Sequence, residues 1–179
     1  EVAGRAGAYG LGRPPELATD EATTESVVAH WWGSTCLVPS PAPIWARSDA
    51  RPDAFFIVHC TAPLTTATHL REALGLLESG RFDSIVSVVR EPLVYFSGNL
   101  ARDGAWEPHR AGRPRTQNLG HIGRENGAFF LTTASAWEES LYWMSGRIGA
   151  YAMAASESVD IDTAEDYDLA LFHALSRRR

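Results

Sequence analysis

Two short apolar runs separated by an amphipathic segment constrain this fold more than any other feature of the chain. Residues 54–58 (Ala-Phe-Phe-Ile-Val) and 84–89 (Ser-Ile-Val-Ser-Val-Val) have the length and composition of strands buried on both faces. Between them, residues 66–79 place apolar side chains at helical spacing, and Gly80 follows as a helix terminator. A strand, a helix and a second strand of these lengths form a right-handed βαβ unit, which predicts an α/β fold with a parallel sheet.

The other periodic segments extend this pattern. Further helices are predicted over 23–32, 135–144 and 163–176, and further strands over 128–132 and 148–153. Four prolines between residues 33 and 53 predict an irregular excursion. The polar stretch 91–123 predicts a long loop over the edge of the sheet. The expected buried side of the last helix consists of Leu169, Ala170, Leu171, Phe172 and Leu175.

Length and composition exclude several classes of protein. With 179 residues, the chain is expected to form a single domain, 1–179. Its net charge of −6 argues against a general nucleic-acid binder, and no apolar run approaches the roughly 20 residues of a membrane span. All 16 basic residues are Arg, which excludes a Schiff-base or P-loop Lys within these residues. Cys36 and Cys60 are expected to be buried free thiols in a reducing compartment.

The strongest candidate for chemistry is the pair Asp160 and Asp162. Residues at i and i+2 of an extended segment point the same way, so the two carboxylates converge. Mg²⁺ is often held by one or two carboxylates together with substrate phosphates. The alternative is helix capping alone, because Asp162 or Thr163 is a suitable N-cap and Thr163 with Asp166 approximates a capping box.

Three other motifs have an equally plain structural interpretation. Asn126-Gly127 is a common turn dipeptide, or else a polar group ahead of a buried strand. His59 lies in the loop after a strand, where open α/β sheets bind ligands, but it could also be a core residue. An arginine-rich segment could clamp a carboxylate or phosphate, or be a solvated loop. Its members are Arg110, Arg113, Arg115 and Arg124.

The order of these motifs resembles that of the acylneuraminate cytidylyltransferases, the CMP-sialic acid synthetases. Four stretches carry the resemblance: 13–20 (Arg-Pro-Pro-Glu-Leu-Ala-Thr-Asp), 56–64 (Phe-Ile-Val-His-Cys-Thr-Ala-Pro-Leu), 113–130 from Arg-Pro-Arg-Thr-Gln to Glu-Asn-Gly-Ala-Phe-Phe, and 158–167 (Ser-Val-Asp-Ile-Asp-Thr-Ala-Glu-Asp-Tyr). The match spans nearly the whole chain, and the last two motifs in tandem are fairly specific.

The resemblance implies a Rossmann-like nucleotide-diphospho-sugar transferase fold, with a mainly parallel sheet, flanking helices and a dimerisation excursion near 132–147. It implies a nucleotidyltransferase in which the anomeric hydroxyl of a nonulosonic acid attacks the α-phosphate of CTP and releases pyrophosphate. It also implies a homodimer in the bacterial cytoplasm, with no nucleic-acid or membrane partner.

Residue roles for the nucleotide half follow by position. The resemblance assigns Asp160 and Asp162 to Mg²⁺, which would neutralise charge developing on the phosphate oxygens. Arg13 and Thr24 would approach the cytidine. His59 and Thr61 lie in the loop that contacts base or sugar.

The sugar half is assigned in the same way. Asn126 and the ring of Phe130 would line the sugar pocket, and Gln117 with Arg115 would face the acidic sugar. A dimer partner inserts aromatic side chains at this place in the family, where the present chain has Tyr142 and Trp143. Tyr167 falls near the same site.

The chain also departs from the family pattern. His59 replaces a Gln, Thr65 and Thr116 each replace an Arg, and Phe130 replaces a Tyr, which leaves the identity of the sugar open. The family's Gly-rich triphosphate loop has no counterpart in these residues, so we expect an N-terminally truncated cytidylyltransferase domain with little turnover by itself.

Two other functions remain open at this stage. An Asp-x-Asp pair also fits a metal-dependent glycosyltransferase that consumes a nucleotide sugar and releases no pyrophosphate. A non-catalytic paralogue that binds nucleotide or sugar is the third possibility.

Overall fold

The segments with the clearest hydrophobic periodicity form the elements that the sequence predicts. The computed structural model describes residues 2–8, 10–34, 51–92, 98–108, 115 and 120–177. Its helices are α1 (Val2–Arg5), α2 (Thr24–Ser34), α3 (Ala67–Glu78), α4 (Ala134–Ser140) and α5 (Ala164–Ser176), with 3-10 turns at Pro15–Leu17 and Ala155–Glu157. Its strands are β1 (Ala54–Val58), β2 (Ser84–Pro92), β3 (Gly98–Leu100), β4 (Trp106–Pro108), β5 (His121–Thr133) and β6 (Ile148–Met153).

The main sheet has four strands in the order β1-β5-β2-β6. The predicted α/β class is confirmed, but the parallel character is only partial. β2 and β6 pair in parallel, whereas β5 runs antiparallel between β1 and β2. β1 and β2 therefore share a direction without pairing, because the later strand β5 occupies the position between them.

β5 is much longer than the predicted strand 128–132. Its first five residues are exposed and, apart from Ile122, polar or small, so the hydrophobic pattern does not reveal them. They extend the pairing with β2 as far as Pro92, and β3 pairs with β4 in a separate two-stranded sheet. The described part of the predicted loop 91–123 thus contains strand structure, while 93–97, 109–114 and 116–119 lie outside the described residues.

The main sheet carries a core on each face. Phe130 belongs to a cluster with α2 and α4, in which Phe55 and Trp137 pack edge to face at 5.8 Å. Its neighbour Phe129 points to the other face, where Ala73 and Leu77 of α3 cover the sheet. β5 therefore contributes buried side chains to the core on each face of the sheet.

The pairing of β5 with β2 is interrupted beside the core. Val86 pairs with Phe130, but Val88 pairs with Glu125, so β5 contains extra residues at this point. The buried Ser87 hydroxyl bridges the interruption, because it donates to the Phe129 carbonyl (2.8 Å) and accepts from the Phe129 N–H (2.9 Å). Asn126 and Gly127 lie in this bulge.

Several burial predictions are wrong. β1 contacts the core on both faces of the sheet but is less buried than predicted, because it is an edge strand and its last residue, Val58, is 48% exposed. Cys60 is a free thiol as predicted but is exposed, because it lies in the turn after β1; Cys36 falls outside the described residues. Helix α4 ends at Ser140, before the predicted end at residue 144, because the next residue, Leu141, adopts a left-handed φ of 54° and is exposed.

Helix α5 contacts the molecule through small side chains instead of large ones. Ala170 is buried and, with Ala174, packs against Leu64, Val159 and Ile161. The predicted buried side is wrong except for Ala170: the exposed residues are Leu169, Leu171, Phe172 and Leu175. Within the described residues, no helix is both long and apolar enough to cross a membrane.

Candidate functional site

Three segments meet where β1 and β6 end. The backbone N–H of His59 donates to the Ala128 carbonyl (3.1 Å), which joins the loop after β1 to β5. The Ile161 N–H donates to the Thr61 carbonyl (2.9 Å), which joins that loop to the segment after β6. The structure therefore brings the loop of His59 and Thr61 together with Asn126 and Asp160, which are far from that loop in sequence.

The Asp160 carboxylate lies directly against the backbone of the β5 bulge. Gly127 has φ +66°, and a Cβ placed there would lie only 2.2 Å from Oδ2 of Asp160. The other oxygen, Oδ1, is buried and has no hydrogen-bond partner in the described structure. An oxygen in this state has lost water without gaining a donor, which is costly unless a cation or other ligand satisfies it.

A buried amide network holds the bulge to the segment that carries Asp160. Asn126 is 3% exposed, and its Nδ2 donates to the Ser158 hydroxyl (2.9 Å). That hydroxyl donates in turn to the Ala154 carbonyl (2.9 Å), while Asn126 Oδ1 accepts from the Ala128 N–H (3.3 Å). The amide of Asn126 thus has partners on both its nitrogen and its oxygen within the chain.

Asp162 is not the cap of α5. Thr163 is the N-cap and forms a capping box with Asp166, as the sequence predicts. Asp166 Oδ2 accepts from the Thr163 hydroxyl (2.7 Å) and from the N–H groups of Thr163 and Asp162. These hydrogen bonds hold the pKa of Asp166 below its usual value, and the bond from the Thr163 hydroxyl contributes most. The exposed Asp162 side chain is left out of the cap.

An aromatic row lies beside the same loop. The His59 ring packs on Phe130 at 5.8 Å, Phe130 on Trp143 at 5.4 Å, and Trp143 on Tyr142 at 5.4 Å. Trp143 is only 8% exposed, and its Nε1 has no partner in the described structure, whereas Tyr142 is exposed. Trp143 therefore packs within its own chain, and Tyr142 is the member of the row that faces outward.

The remaining candidates are not joined to this cluster. Thr24 begins α2, Arg13 and Arg115 are exposed, and Tyr167 is exposed on α5. Among the described residues, no hydrogen bond or ion pair connects any of them to Asp160 or Asp162. Gln117 lies outside the described residues.

Sequence reasoning missed the residues that hold this cluster in place. Ser158 is the first residue of the motif 158–167, but no local signal in the sequence identifies its hydrogen bond to Asn126, 32 positions away. Glu157 and His69 were missed as well, although their side chains approach to 3.3 Å. Both contacts join segments distant in sequence, which periodicity does not report.

Asp160 and Asp162 lie on one short segment after β6, and carboxylate oxygens are ligands that a divalent cation could use. In the part of the chain that the structure describes, no group of three or more His, Cys, Asp or Glu side chains could hold a metal by itself. Mg²⁺ commonly completes such a site with water and substrate phosphate oxygens. The orphaned Oδ1 of Asp160 fits that chemistry.

Comparison with known proteins points to one group of enzymes. The chain is similar to N-acylneuraminate cytidylyltransferase B of Danio rerio, 32% identical over 126 residues, which cover 67% of this chain and 30% of the relative. It is similar to N-acylneuraminate cytidylyltransferases of Streptococcus agalactiae serotype V (26% identity, 87% of this chain, 35% of the relative) and Oncorhynchus mykiss (28%, 88% and 34%). The chain thus spans about a third of the length of these curated relatives. No family model matches it.

Proposed function

This chain belongs to the N-acylneuraminate cytidylyltransferase family, and we propose on that premise that the protein transfers CMP from CTP to a sialic-type nonulosonic acid. In this reaction the anomeric hydroxyl of the sugar attacks the α-phosphorus of CTP, and the bond to the pyrophosphate leaving group breaks. The observation that carries the proposal is the Asp160 carboxylate, with a buried, unpartnered Oδ1 beside the Gly127 backbone.

Mg²⁺ is the cofactor that we propose for this site, held by Asp160 and Asp162. When bound, it would withdraw charge from the phosphate oxygens as the α-phosphorus is attacked. The chain's own contribution is to hold both carboxylates in place. Asp160 is fixed by its contact with Gly127, and the Asp162 backbone by its bond to Asp166.

The surroundings of the carboxylates suggest how the chain orients a sugar. Phe130 and Trp143 lie beside the His59 loop and are both less than 10% exposed, so we propose that they form the apolar base of the sugar pocket. Asn126 already bonds to Ser158 and Ala128, so we propose that it supports the pocket at least as much as it contacts sugar.

The remaining roles in the proposal rest on the family resemblance. Arg13 and Thr24 would approach cytidine, Thr61 would lie at the base or sugar, and Gln117 with Arg115 would face the sugar carboxylate. We also propose a homodimer of one cytidylyltransferase domain per chain, with 132–147 as its excursion and Tyr142 reaching the neighbouring site beside Tyr167. The proposed location is the bacterial cytoplasm.

The test is pyrophosphate release from CTP, Mg²⁺ and a panel of nonulosonic acids, measured on the full product of the gene that encodes this chain. We expect release that depends on one sugar and is abolished in Asp162→Asn. Asp168→Asn, an exposed carboxylate on α5, is the matched control and should retain activity.

Two results would overturn the proposal. Consumption of a CMP-sugar without pyrophosphate release would indicate an Asp-x-Asp glycosyltransferase. Binding of CTP or sugar by the folded protein, without turnover of any sugar, would indicate a non-catalytic paralogue.

A further inference from the structure

Glu157 joins three elements around the candidate site. It ends the 3-10 turn Ala155–Glu157, three residues before Asp160. Its Oε2 lies 3.3 Å from Nε2 of His69 in the first turn of α3, and its Oε1 lies 2.8 Å from the guanidinium of Arg177 after α5. One carboxylate therefore uses both oxygens to connect two helices to the segment after β6.

The His69 ring also holds the loop after β1. The Thr66 N–H donates to Nδ1 of His69 (3.2 Å), and the His69 N–H donates to the Thr66 hydroxyl (3.4 Å). Because Nδ1 accepts a hydrogen bond, the ring hydrogen lies on Nε2, where it points at Glu157. The capping of α3 thus orients His69 toward this carboxylate.

Arg177 completes the connection from the other side. One guanidinium nitrogen bonds to Glu157, and another donates to the Leu64 carbonyl (3.3 Å) in the loop after β1. The loop 59–66 and the segment 155–162 are therefore linked twice through Glu157, in addition to the direct bond between Ile161 and Thr61.

Burial increases the effect of these contacts. The Glu157 side chain is 27% exposed and that of His69 only 9%. His69 contributes a hydrogen bond from its neutral ring, and the charge pair is that of Glu157 with Arg177, whose side chain is 33% exposed; such a partly buried pair is screened less by salt and water than a surface pair. By contrast, the ion pair of Arg51 with Glu138 has both side chains about half exposed and lies away from this segment.

We propose that Glu157 is a positioning residue of the carboxylate site: through His69 and Arg177 it holds the loop 59–66 against the segment that carries Asp160 and Asp162. The proposal rests on the proposed function for its link to Mg²⁺. Glu157 itself touches neither substrate nor metal. Its removal should loosen the two loops and weaken the response to Mg²⁺, because partners that orient metal-binding carboxylates influence metal affinity.

The experiment compares Glu157→Gln, Arg177→Gln and their double variant in the full-length protein, with Glu78→Gln, at an exposed position at the end of α3, as the matched surface control. Amide hydrogen exchange is followed at the Thr66 and Ile161 N–H groups, and the Mg²⁺ concentration for half-maximal pyrophosphate release is measured. We expect faster exchange at both sites and about a 10-fold higher Mg²⁺ requirement in Glu157→Gln.

Other readouts separate positioning from general destabilisation. The CTP KM at saturating Mg²⁺ and the thermal midpoint should change little in Glu157→Gln, and Glu78→Gln should leave every readout unchanged. In the double variant, the changes in exchange rate and in Mg²⁺ requirement should be smaller than the sum of the changes in the two single variants, because both residues act through one contact.

Unchanged exchange at Thr66 and Ile161 in Glu157→Gln would overturn the inference, as would additive effects in the double variant. The proposed function fails separately, if the wild-type protein releases no pyrophosphate. The exchange measurement still decides whether Glu157 holds the two loops together in that case.

Discussion

Gly127 shows how a single residue determines the geometry of the candidate site. Asn-Gly is a frequent turn dipeptide, yet here it lies inside a long strand, where β5 bulges against β2. The positive φ of Gly127 lets the backbone bend, and the missing side chain leaves space for the Asp160 carboxylate. Both properties are needed at once, so any other residue at this position would force the backbone or the Asp160 carboxylate to move.

We therefore expect Gly127→Ala to be destabilising. The left-handed φ alone costs about 1–3 kcal/mol for a non-glycine residue. The new Cβ would also displace the Asp160 carboxylate, so the Mg²⁺ requirement should rise. Urea denaturation and Mg²⁺ titration of activity measure the two effects.

Gly75→Ala is the control for this substitution. Gly75 lies within α3 with open space around its Cβ position, so alanine there should stabilise the protein by about 0.5–1 kcal/mol. Equal stability of Gly127→Ala and the wild type would contradict the close approach of Asp160.

At the scale of elements, the N-termini of α3 and α5 are the most predictable features. Each begins with a Thr whose hydroxyl accepts from the backbone of the third helical residue, and each forms a capping box. The bounds of β1 and β6 also agree with the prediction, because apolar side chains occupy their whole length. The first half of β5 was missed because its residues are exposed.

The cap of α5 has a consequence for the carboxylate pair. Thr163→Ala removes the hydroxyl that bonds to Asp166, and it should cost about 1 kcal/mol of folding free energy. It should also free the Asp162 backbone, which Asp166 holds, and raise the Mg²⁺ requirement.

Thr163→Ser retains the hydroxyl and is expected to behave as the wild type in both measurements. A Thr163→Ala protein that unfolds at the wild-type urea concentration would show that the capping box contributes nothing measurable.

On the scale of the whole molecule, a second ionic contact fixes the opposite end of the sheet. Arg147, just before β6, donates from Nε and Nη2 to the two oxygens of Asp83, just before β2, and its backbone N–H also donates to Asp83. These bonds, led by those of the side chain, lower the pKa of Asp83 from 3.8 to about 2. The contact sets the start of the only parallel strand pair in the described sheet.

This depressed pKa predicts a dependence of stability on acid. Because the folded pKa is below the unfolded one, the contribution of Asp83 is fully present above about pH 4 and is lost as the pH falls towards 2. The difference in urea midpoint between wild type and Asp83→Asn should be constant above pH 4 and shrink below it. A difference that is independent of pH down to 2 would refute the assignment.

The amino-acid sequence by itself determined the local elements. Hydrophobic periodicity located β1, α3, β6 and the central part of β2. Hydroxyl residues marked where helices start. The order of short motifs indicated the family. These features depend on a few neighbouring residues, since the hydrogen bonds of a helix or cap are made within about four positions. The Asp160 and Asp162 pair was visible for the same reason.

Only the tertiary structure decided which segments became neighbours. Contacts between residues far apart in the chain produce three features of this molecule. These are the antiparallel insertion of β5 between β1 and β2, the bulge at Gly127, and the contact between the side chains of Glu157 and His69. The exposed large side chains of α5 follow the same principle, because Ala170 and Ala174 allow close packing and turn the larger residues outward. A hydrophobic pattern shows that a segment has an apolar face, but the rest of the molecule determines what covers it.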